Sequence, residues 1–97
     1  MYDKNQVHIT GKVADISLFK DKKGMDAVNL SLKSTNKYED IIQCNAFSSL
    51  AKLVIENVHE NDPVIVIGRI MSYLKKDIHT FKIIVEKIGI ELECTDD

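Results

Sequence analysis

The stretch CNAFSSLAKLV, residues 44–54, decides the fold, because a strand ends in it and a helix begins. Up to Phe47, apolar side chains alternate with other residues, which predicts a β-strand. Ser48 is one of the residue types that favour the N-cap of a helix. After it, apolar residues recur with helical spacing: Leu50, Leu53, Val54 and Val58. The stretch therefore predicts one short helix with strands on both sides.

The residues before and after this helix predict five strands. The first, from Gln6 to Phe19, changes the phase of its alternation near Ala14-Asp15, which indicates a bulge and a strand that serves two sheets. In the fourth strand, VIVIGRI is apolar on both faces up to Gly68, which indicates a strand covered on both sides, with the helix as one cover. The other predicted strands are centred on residues 28–32, 41–47 and 81–85, with a last short strand at 88–92.

Five strands with a helix between the third and fourth are typical of an all-β, five-stranded Greek-key barrel of the oligonucleotide/oligosaccharide-binding (OB) type. Such barrels use a glycine or a bulge where a strand turns a corner, and Gly11 and Gly68 suit that role. A chain of 97 residues is long enough for one core. We therefore predict a single OB-fold domain over residues 1–97, with a short acidic C-terminus at 91–97.

The charge distribution permits an anionic partner. The net charge is −2, but residues 86–97 hold five of the 15 acidic residues and only one of the 13 basic residues, so the rest of the chain is slightly basic. No apolar run is long enough to span a membrane, and the N-terminus lacks the apolar segment of a secretory signal. Because Cys44 and Cys94 stand alone, nothing indicates an oxidising compartment. These observations predict a cytoplasmic protein.

The sequence predicts neither catalysis nor a cofactor. It contains no nucleophile elbow, no P-loop and no dinucleotide-binding glycine motif. His8, His59 and His79 are scattered, without the spacing of a zinc site. The carboxylates lie mainly in predicted turns and near the C-terminus. We therefore expect a binding protein rather than an enzyme, with no metal.

Four segments resemble, in order, the bacterial and phage single-stranded DNA-binding proteins. They are NQVHITGKVADI near the start, AVNLSL in the second strand, AFSSLAKLV at the strand–helix junction and NDPVIVIGRI in the fourth strand, and the likeness covers about residues 5–92. No single motif is specific, but the order and the intervals match the family. The resemblance implies an OB fold and sequence-nonspecific binding of single-stranded DNA, which protects strands in replication, recombination or repair.

The resemblance also implies which residues hold the DNA. Bases stack on aromatic residues at two family positions that match Tyr38 and Phe47 here. A further stacking aromatic of the family, in the hairpin after the fourth strand, falls at about Lys75, and Tyr73 is the nearest aromatic residue. The cations expected to follow the phosphate backbone lie near predicted loop tips and on the fourth strand: Lys33, Lys37, Arg69, Lys75 and Lys76.

Each of these residues also has a structural interpretation. Phe47 could fill the core beneath the helix, although the alternation places it on the outer face of its strand. Tyr38 could be a solvated turn residue, and Tyr73 could pack at a subunit contact. The lysines could be ordinary solvated surface, and Arg69 could form a structural ion pair.

The family implies a homo-oligomer, with a tetramer favoured over a dimer, and partners among replication or recombination proteins. Its bacterial members continue into a long tail with an acidic tip. The shorter acidic end here favours a relative from a phage or mobile element, located in the host cytoplasm. An alternative function keeps the OB fold but makes the chain an oligomeric adaptor that binds replication proteins, with weak or no nucleic-acid binding. Burial of the outer face of the third strand by another protein would favour that adaptor.

Overall fold

The computed structural model of the chain, which describes residues 5–34, 38 and 40–90, is a closed barrel of five strands with one helix. The elements are β1 (Val7–Lys20), β2 (Asp26–Lys33), β3 (Ile41–Phe47), α1 (Ser49–Asn57), β4 (Pro63–Lys75) and β5 (Ile78–Ile90). Around the barrel the strand order is β1-β2-β3-β5-β4, which confirms the predicted fold. Lys37, Cys94 and the acidic C-terminus at 91–97 lie outside the described residues.

Strand β1 is long because it belongs to both halves of the barrel. Its first part, Val7 to Lys12, pairs antiparallel with β4, and its second part, Lys12 to Lys20, pairs antiparallel with β2. The register shifts between Val13 and Asp15, which confirms the bulge predicted from the phase of the sequence. A bulge bends a strand and increases its twist, so that β1 can pass from one half to the other.

Apolar side chains that point inward fill the barrel. Cys44 and Ala46 are fully buried, as the alternation of β3 predicts, and Ile42 is partly buried against them. Burial raises the pKa of the Cys44 thiol to about 12, so this thiol is protonated at neutral pH. The buried apolar cluster consists of Val13, Val28, Leu30, Leu32, Cys44, Ala46, Ala51, Val54, Val58, Val64, Val66, Ile83 and Val85.

Gly68 lies at the corner of β4, as predicted. The ladder between β4 and β5 shifts its register between Ile67 and Gly68. A Cβ atom at Gly68 would lie 2.1 Å from the backbone oxygen of Ile84, and one at Gly11 would lie 2.8 Å from the backbone oxygen of Lys33. Both positions require glycine because a neighbouring strand passes too close for any side chain.

The side chain of Asn5 forms hydrogen bonds with the backbone of β4, as a neighbouring strand would. Its Nδ2 donates to the backbone oxygen of Ile70 at 2.8 Å, and its Oδ1 accepts from the Ile70 N–H at 3.0 Å. These two bonds extend the β1–β4 ladder past its last pair, Val7 with Gly68. Among the described residues, β4 beyond this point pairs only with β5. Residues 71–82 therefore project from the barrel as a two-stranded hairpin, the β4–β5 arm.

Helix α1 packs against β2, β3 and β5 but not against β4. It buries Ala51 and Val54, whereas Leu53 is 42% exposed. The prediction that the helix covers β4 is therefore wrong. A helix of 9 residues presents only one narrow stripe to the barrel. Ile65 on β4 consequently remains exposed.

Ser48 precedes α1 but does not cap it through its side chain. Its backbone has φ 54° and ψ −121°, and its hydroxyl makes no capping hydrogen bond. Ser48 thus occupies the predicted N-cap position, where its backbone oxygen accepts from the Lys52 N–H at 3.1 Å, but its side chain does not cap the helix. The chain reverses sharply between Phe47 and Ser49, and the reversal needs a backbone conformation that glycine adopts without strain.

We expect Ser48→Gly to raise the free energy of unfolding by about 1 kcal/mol, because glycine relieves the strain of a positive φ. Urea denaturation measures the change. Ser49→Gly is the control, since Ser49 has helical backbone and glycine there should lower the free energy of unfolding by about 0.5 kcal/mol. Equal destabilisation by both substitutions would show that Ser48 is not strained.

Candidate nucleic-acid interface

A polar groove lies between the outer face of β2 and β3 and the β4–β5 arm. Its volume is about 310 Å³ and it is open to solvent on one side. Every side chain that lines it carries a hydrogen-bonding group, and two carry a positive charge. The lining residues are Asn29, Gln43, Asn45, Tyr73, Lys75 and Lys82.

The register of the strands brings the floor of the polar groove together. Asn29 pairs with Asn45, and Ser31 pairs with Gln43, across the antiparallel ladder of β2 and β3. Side chains of residues two apart on a strand point to the same face, so all four project outward. The inward residues between them are apolar and buried, as in Leu30 and Cys44. The alternation of AVNLSL and IIQCNAF thus produces both the core and the floor.

Hydrogen bonds fix the amides of this floor. Asn45 is only 6% exposed, and its Nδ2 donates to Asn29 Oδ1 at 3.3 Å and to the Cys44 backbone oxygen at 3.2 Å. Ser31 Oγ donates to Gln43 Oε1 at 3.1 Å. Asn45 is therefore a buried part of the floor, although it lies on the outward face of β3.

The β4–β5 arm forms the wall of the polar groove. Its turn consists of Lys76 and Asp77, with φ 51° and 62°, which is the two-residue hairpin turn that matches the twist of the strands and confirms the predicted hairpin tip. Tyr73 and Lys75 lie on the wall, and Lys82 Nζ stands 5.1 Å from the centroid of the Tyr73 ring. This distance is within the range of a cation–π interaction. The arm thus places an aromatic ring beside two ammonium groups.

Phe47 projects from the outer face, two residues along β3 from Asn45, but does not line the polar groove. It is half-buried. Its ring meets the ring of Phe19 edge to face, with centroids 6.3 Å apart and an interplanar angle of 84°. Both phenylalanines pair with Ala27, whose small side chain lets the two rings meet across β2. Phe47 is therefore not a core residue beneath the helix.

The other predicted residues that the structure describes lie around this face. Arg69 is exposed and pairs with Ile84, which in turn pairs with Asn45, so Arg69 lies in the same cross-strand row as the floor. Lys33 is exposed at the end of β2, and Tyr38 is 71% exposed in the loop that follows. Lys76 is exposed at the tip of the arm. Of the predicted residues within 5–34, 38 and 40–90, the structure brings two into the polar groove, Tyr73 and Lys75.

Sequence reasoning missed five contributors to this face. Four of them line the polar groove, namely Asn29, Gln43, Asn45 and Lys82, and the fifth, Phe19, is the partner of Phe47. The signal for Asn29 was its place among polar residues on the outward phase of β2. Lys82 and Phe19 gave no such signal, because their contacts depend on the register between strands that are distant in sequence.

Among the described residues, no group of three or more histidine, cysteine, aspartate or glutamate side chains could hold a metal ion. Within the same residues, no helix is long and apolar enough to cross a membrane.

At the start of β2, Asp26 forms an ion pair with Lys20, the last residue of β1. The hydrogen bond from Lys20 holds the pKa of the Asp26 carboxyl below its usual value. Both side chains are exposed, so the pair contributes little to stability.

No protein-family model matches the sequence, and no curated protein matches it. A match exists among solved structures: the crystal structure of the wild-type single-stranded DNA binding protein from Thermus aquaticus has a TM-score of 0.80 and 20% identity, covering 97% of this chain and 43% of that one. The chain has the fold of that protein. A deletion mutant of the same protein gives a TM-score of 0.78 and 23% identity, covering 96% of this chain and 43% of the mutant.

This chain thus spans less than half the length of both matched structures. At these identities the similarity establishes the shared barrel. A role for the outer face of β2 and β3 must be argued from the side chains that this sequence places there.

Proposed function

We propose that the chain binds single-stranded DNA across the outer face of β2, β3 and the β4–β5 arm. The observation that carries this proposal is the polar groove itself, in which Lys75, Lys82 and the Tyr73 ring stand over a floor of amides. In OB barrels this face, flanked by the hairpin of the fourth and fifth strands, is the one that takes oligonucleotides. The shared fold with a single-stranded DNA binding protein supports the same assignment.

Binding of this kind uses stacking and charge rather than bond-making chemistry. Every base has a π-face, so Phe47, Tyr73 and Tyr38 can hold successive bases without selecting a sequence, while lysine ammonium groups neutralise phosphates. Duplex DNA hides the faces of its bases, so single strands are preferred. The chain on this proposal is a non-enzymatic member of the single-stranded DNA-binding family that protects exposed strands in replication, recombination or repair.

Fluorescence anisotropy with labelled oligo-dT, and with a duplex of the same length, tests the proposal. Each stacked base contributes about 1–3 kcal/mol, so we expect the single strand to bind at least about tenfold more tightly than the duplex. Equal affinity for both would refute the assignment.

The salt dependence of the affinity tests the charged wall of the groove. Lys82→Ala is expected to weaken binding and to reduce the slope of log affinity against log salt by about 0.7, the value for one phosphate contact on a single strand. Lys87→Ala is the matched control, since Lys87 is on the same strand and exposed but does not line the polar groove. If both substitutions change the slope equally, the phosphates do not follow the arm.

The exposed apolar side of the β4–β5 arm favours a second candidate function, contact with protein. Ile70 and Phe81 border an apolar cavity of about 330 Å³ with Ile41, and Leu74 is exposed nearby on β4. Exposed apolar clusters of this kind mark protein interfaces. An oligomeric adaptor that binds replication proteins would use this surface while the polar groove stayed open or was covered by the partner.

We expect the chain to form a homo-oligomer, with a tetramer favoured over a dimer, because joining several short grooves lengthens the path for DNA and raises avidity. Sedimentation velocity at micromolar concentration measures the assembly. A monomer at that concentration would contradict this expectation, and binding of a single strand by that monomer would leave the DNA-binding proposal standing.

A further inference from the structure

We propose that Asn5 is a positioning residue of the nucleic-acid interface, because its side chain sets the angle at which the β4–β5 arm leaves the barrel. That angle fixes the distance between the wall of the polar groove and its floor. This inference rests on the proposed function, since it concerns the wall of the same groove. Asn5 does not line the groove itself and acts through the backbone of β4.

The first step is the support of the arm at its root. Ile70 of β4 and Ile83 of β5 are partners in the β4–β5 ladder, and they form the last row of the sheet before the arm. On one edge of this row, Ile83 pairs with Cys44 of β3. On the other edge, the Asn5 side chain bonds to the backbone of Ile70. The root of the arm is thus held on both edges at the same level.

The second step is what this support would be without Asn5. The last backbone pair of β1 with β4 is Val7 with Gly68, and among the described residues Asn5 makes the only hydrogen bonds to this edge of β4 beyond it. The β4–β5 ladder shifts its register between Ile67 and Gly68, and a strand bends at such a bulge. Without Asn5, the support of β4 would end at the bulge, and the arm would be free to pivot there.

The third step is the length of the arm. A strand spacing of about 3.4 Å per residue places Lys75 about 17 Å beyond Ile70, with Tyr73 between them. A rotation at the root therefore moves the far end of the wall much more than the near end, where Lys82 lies next to Ile83. The floor stays in place, because β3 is paired with β2 along its whole length.

We expect Asn5→Ala to weaken the binding of oligo-dT by about fivefold or more, the least that the loss of one stacked base implies, because the Tyr73 ring no longer stands over the floor. It should also reduce the slope of log affinity against log salt by about 0.7, the value of one phosphate contact, because Lys75 moves out of reach. The substitution removes no charge, so a loss of stability alone would leave this slope unchanged. Fluorescence anisotropy at a series of salt concentrations measures both quantities.

Gln6→Ala is the matched control. Gln6 is the neighbouring amide residue and is equally exposed, but its side chain does not hold Ile70. Its removal should change neither the affinity nor the salt slope.

A double-mutant cycle separates positioning from direct contact with DNA. In the wild-type background, Lys75→Ala and Lys82→Ala should each reduce the salt slope by about 0.7. In the Asn5→Ala background, Lys75→Ala should cause no further reduction, whereas Lys82→Ala at the root should keep its effect. If alanine at this position impairs folding, Asn5→Asp serves in the same cycle, because its carboxylate keeps the acceptor for the Ile70 N–H and loses only the donor.

An unchanged salt slope in Asn5→Ala overturns the inference, since the wall then keeps its place without the two bonds. A full effect of Lys75→Ala in the Asn5→Ala background overturns it as well, because Asn5 then acts independently of the wall. Both results leave single-stranded DNA binding intact. A wild-type chain that binds no oligo-dT, by contrast, overturns the proposed function and this role of Asn5 with it.

Discussion

Gly68→Ala is expected to lower the free energy of unfolding by about 3 kcal/mol, near the upper end of the cost of overpacking a site. The added Cβ would lie 2.1 Å from the backbone oxygen of Ile84 and 3.0 Å from a methyl group of Ile83. A backbone oxygen cannot move away like a flexible side chain, so β4 and β5 must separate at the bulge. Urea denaturation, followed by far-UV circular dichroism, measures the loss.

Gly89→Ala is the matched control for this substitution. Gly89 lies in β5, paired with Ile65 of β4, and a Cβ there would meet no atom within 4 Å. Alanine at this exposed strand position should leave stability unchanged or raise it by up to about 1 kcal/mol. Equal stability of the two variants would mean that the β4–β5 bulge can relax, and that Gly68 is not required by close approach.

Phe47→Ala is expected to lower the affinity for oligo-dT by about 1–3 kcal/mol, the contribution of one stacked base. The ring projects from the outer face of β3 and is half-buried against Phe19. Its removal should therefore cost only about 1 kcal/mol of folding stability, the value of an aromatic pair, and not the 3–5 kcal/mol that follows loss of a core phenylalanine. Thermal unfolding and anisotropy on the same variant separate the two effects.

Phe81→Ala is the matched control for Phe47. Phe81 is 65% exposed, but it neighbours Lys82 on β5, so its side chain points to the apolar side of the β4–β5 arm, opposite to the side that lines the polar groove. We expect its removal to leave the affinity for oligo-dT unchanged at a protein concentration that holds the oligomeric state constant. A strongly destabilised Phe47→Ala variant whose folded fraction binds normally would rule out Phe47 as a stacking platform.

The sequence allows prediction of those features that depend on local alternation. The bulge between Val13 and Asp15 follows from a change of phase within one strand, and the inward position of Cys44 follows from its neighbours on β3. Both depend on side chains a few residues apart. The strand order follows indirectly, through the fold class, because a helix between the third and fourth strands is typical of one barrel topology.

The contacts of the site could not be predicted in the same way. Lys82 lies over the Tyr73 ring because a two-residue turn at Lys76 and Asp77 sets the register of the arm, and the single sequence does not specify that register. Phe19 meets Phe47 only because three strands align at Ala27. Binding by Tyr38, Phe47 and the predicted lysines remains a prediction, since it depends on a ligand.

The Asn5 amide marks the place where the cooperative barrel ends and a less stable element begins. Past Ile70 the β4–β5 arm has two strands and no third among the described residues, and an isolated two-stranded hairpin is only marginally stable in water. Its backbone amides should therefore exchange with solvent through local opening rather than global unfolding. One wall of the groove can thus fluctuate while its floor stays rigid. If the chain binds single-stranded DNA as proposed, this motion would let a strand enter sideways, without threading by an end, and bound DNA should damp the fluctuation.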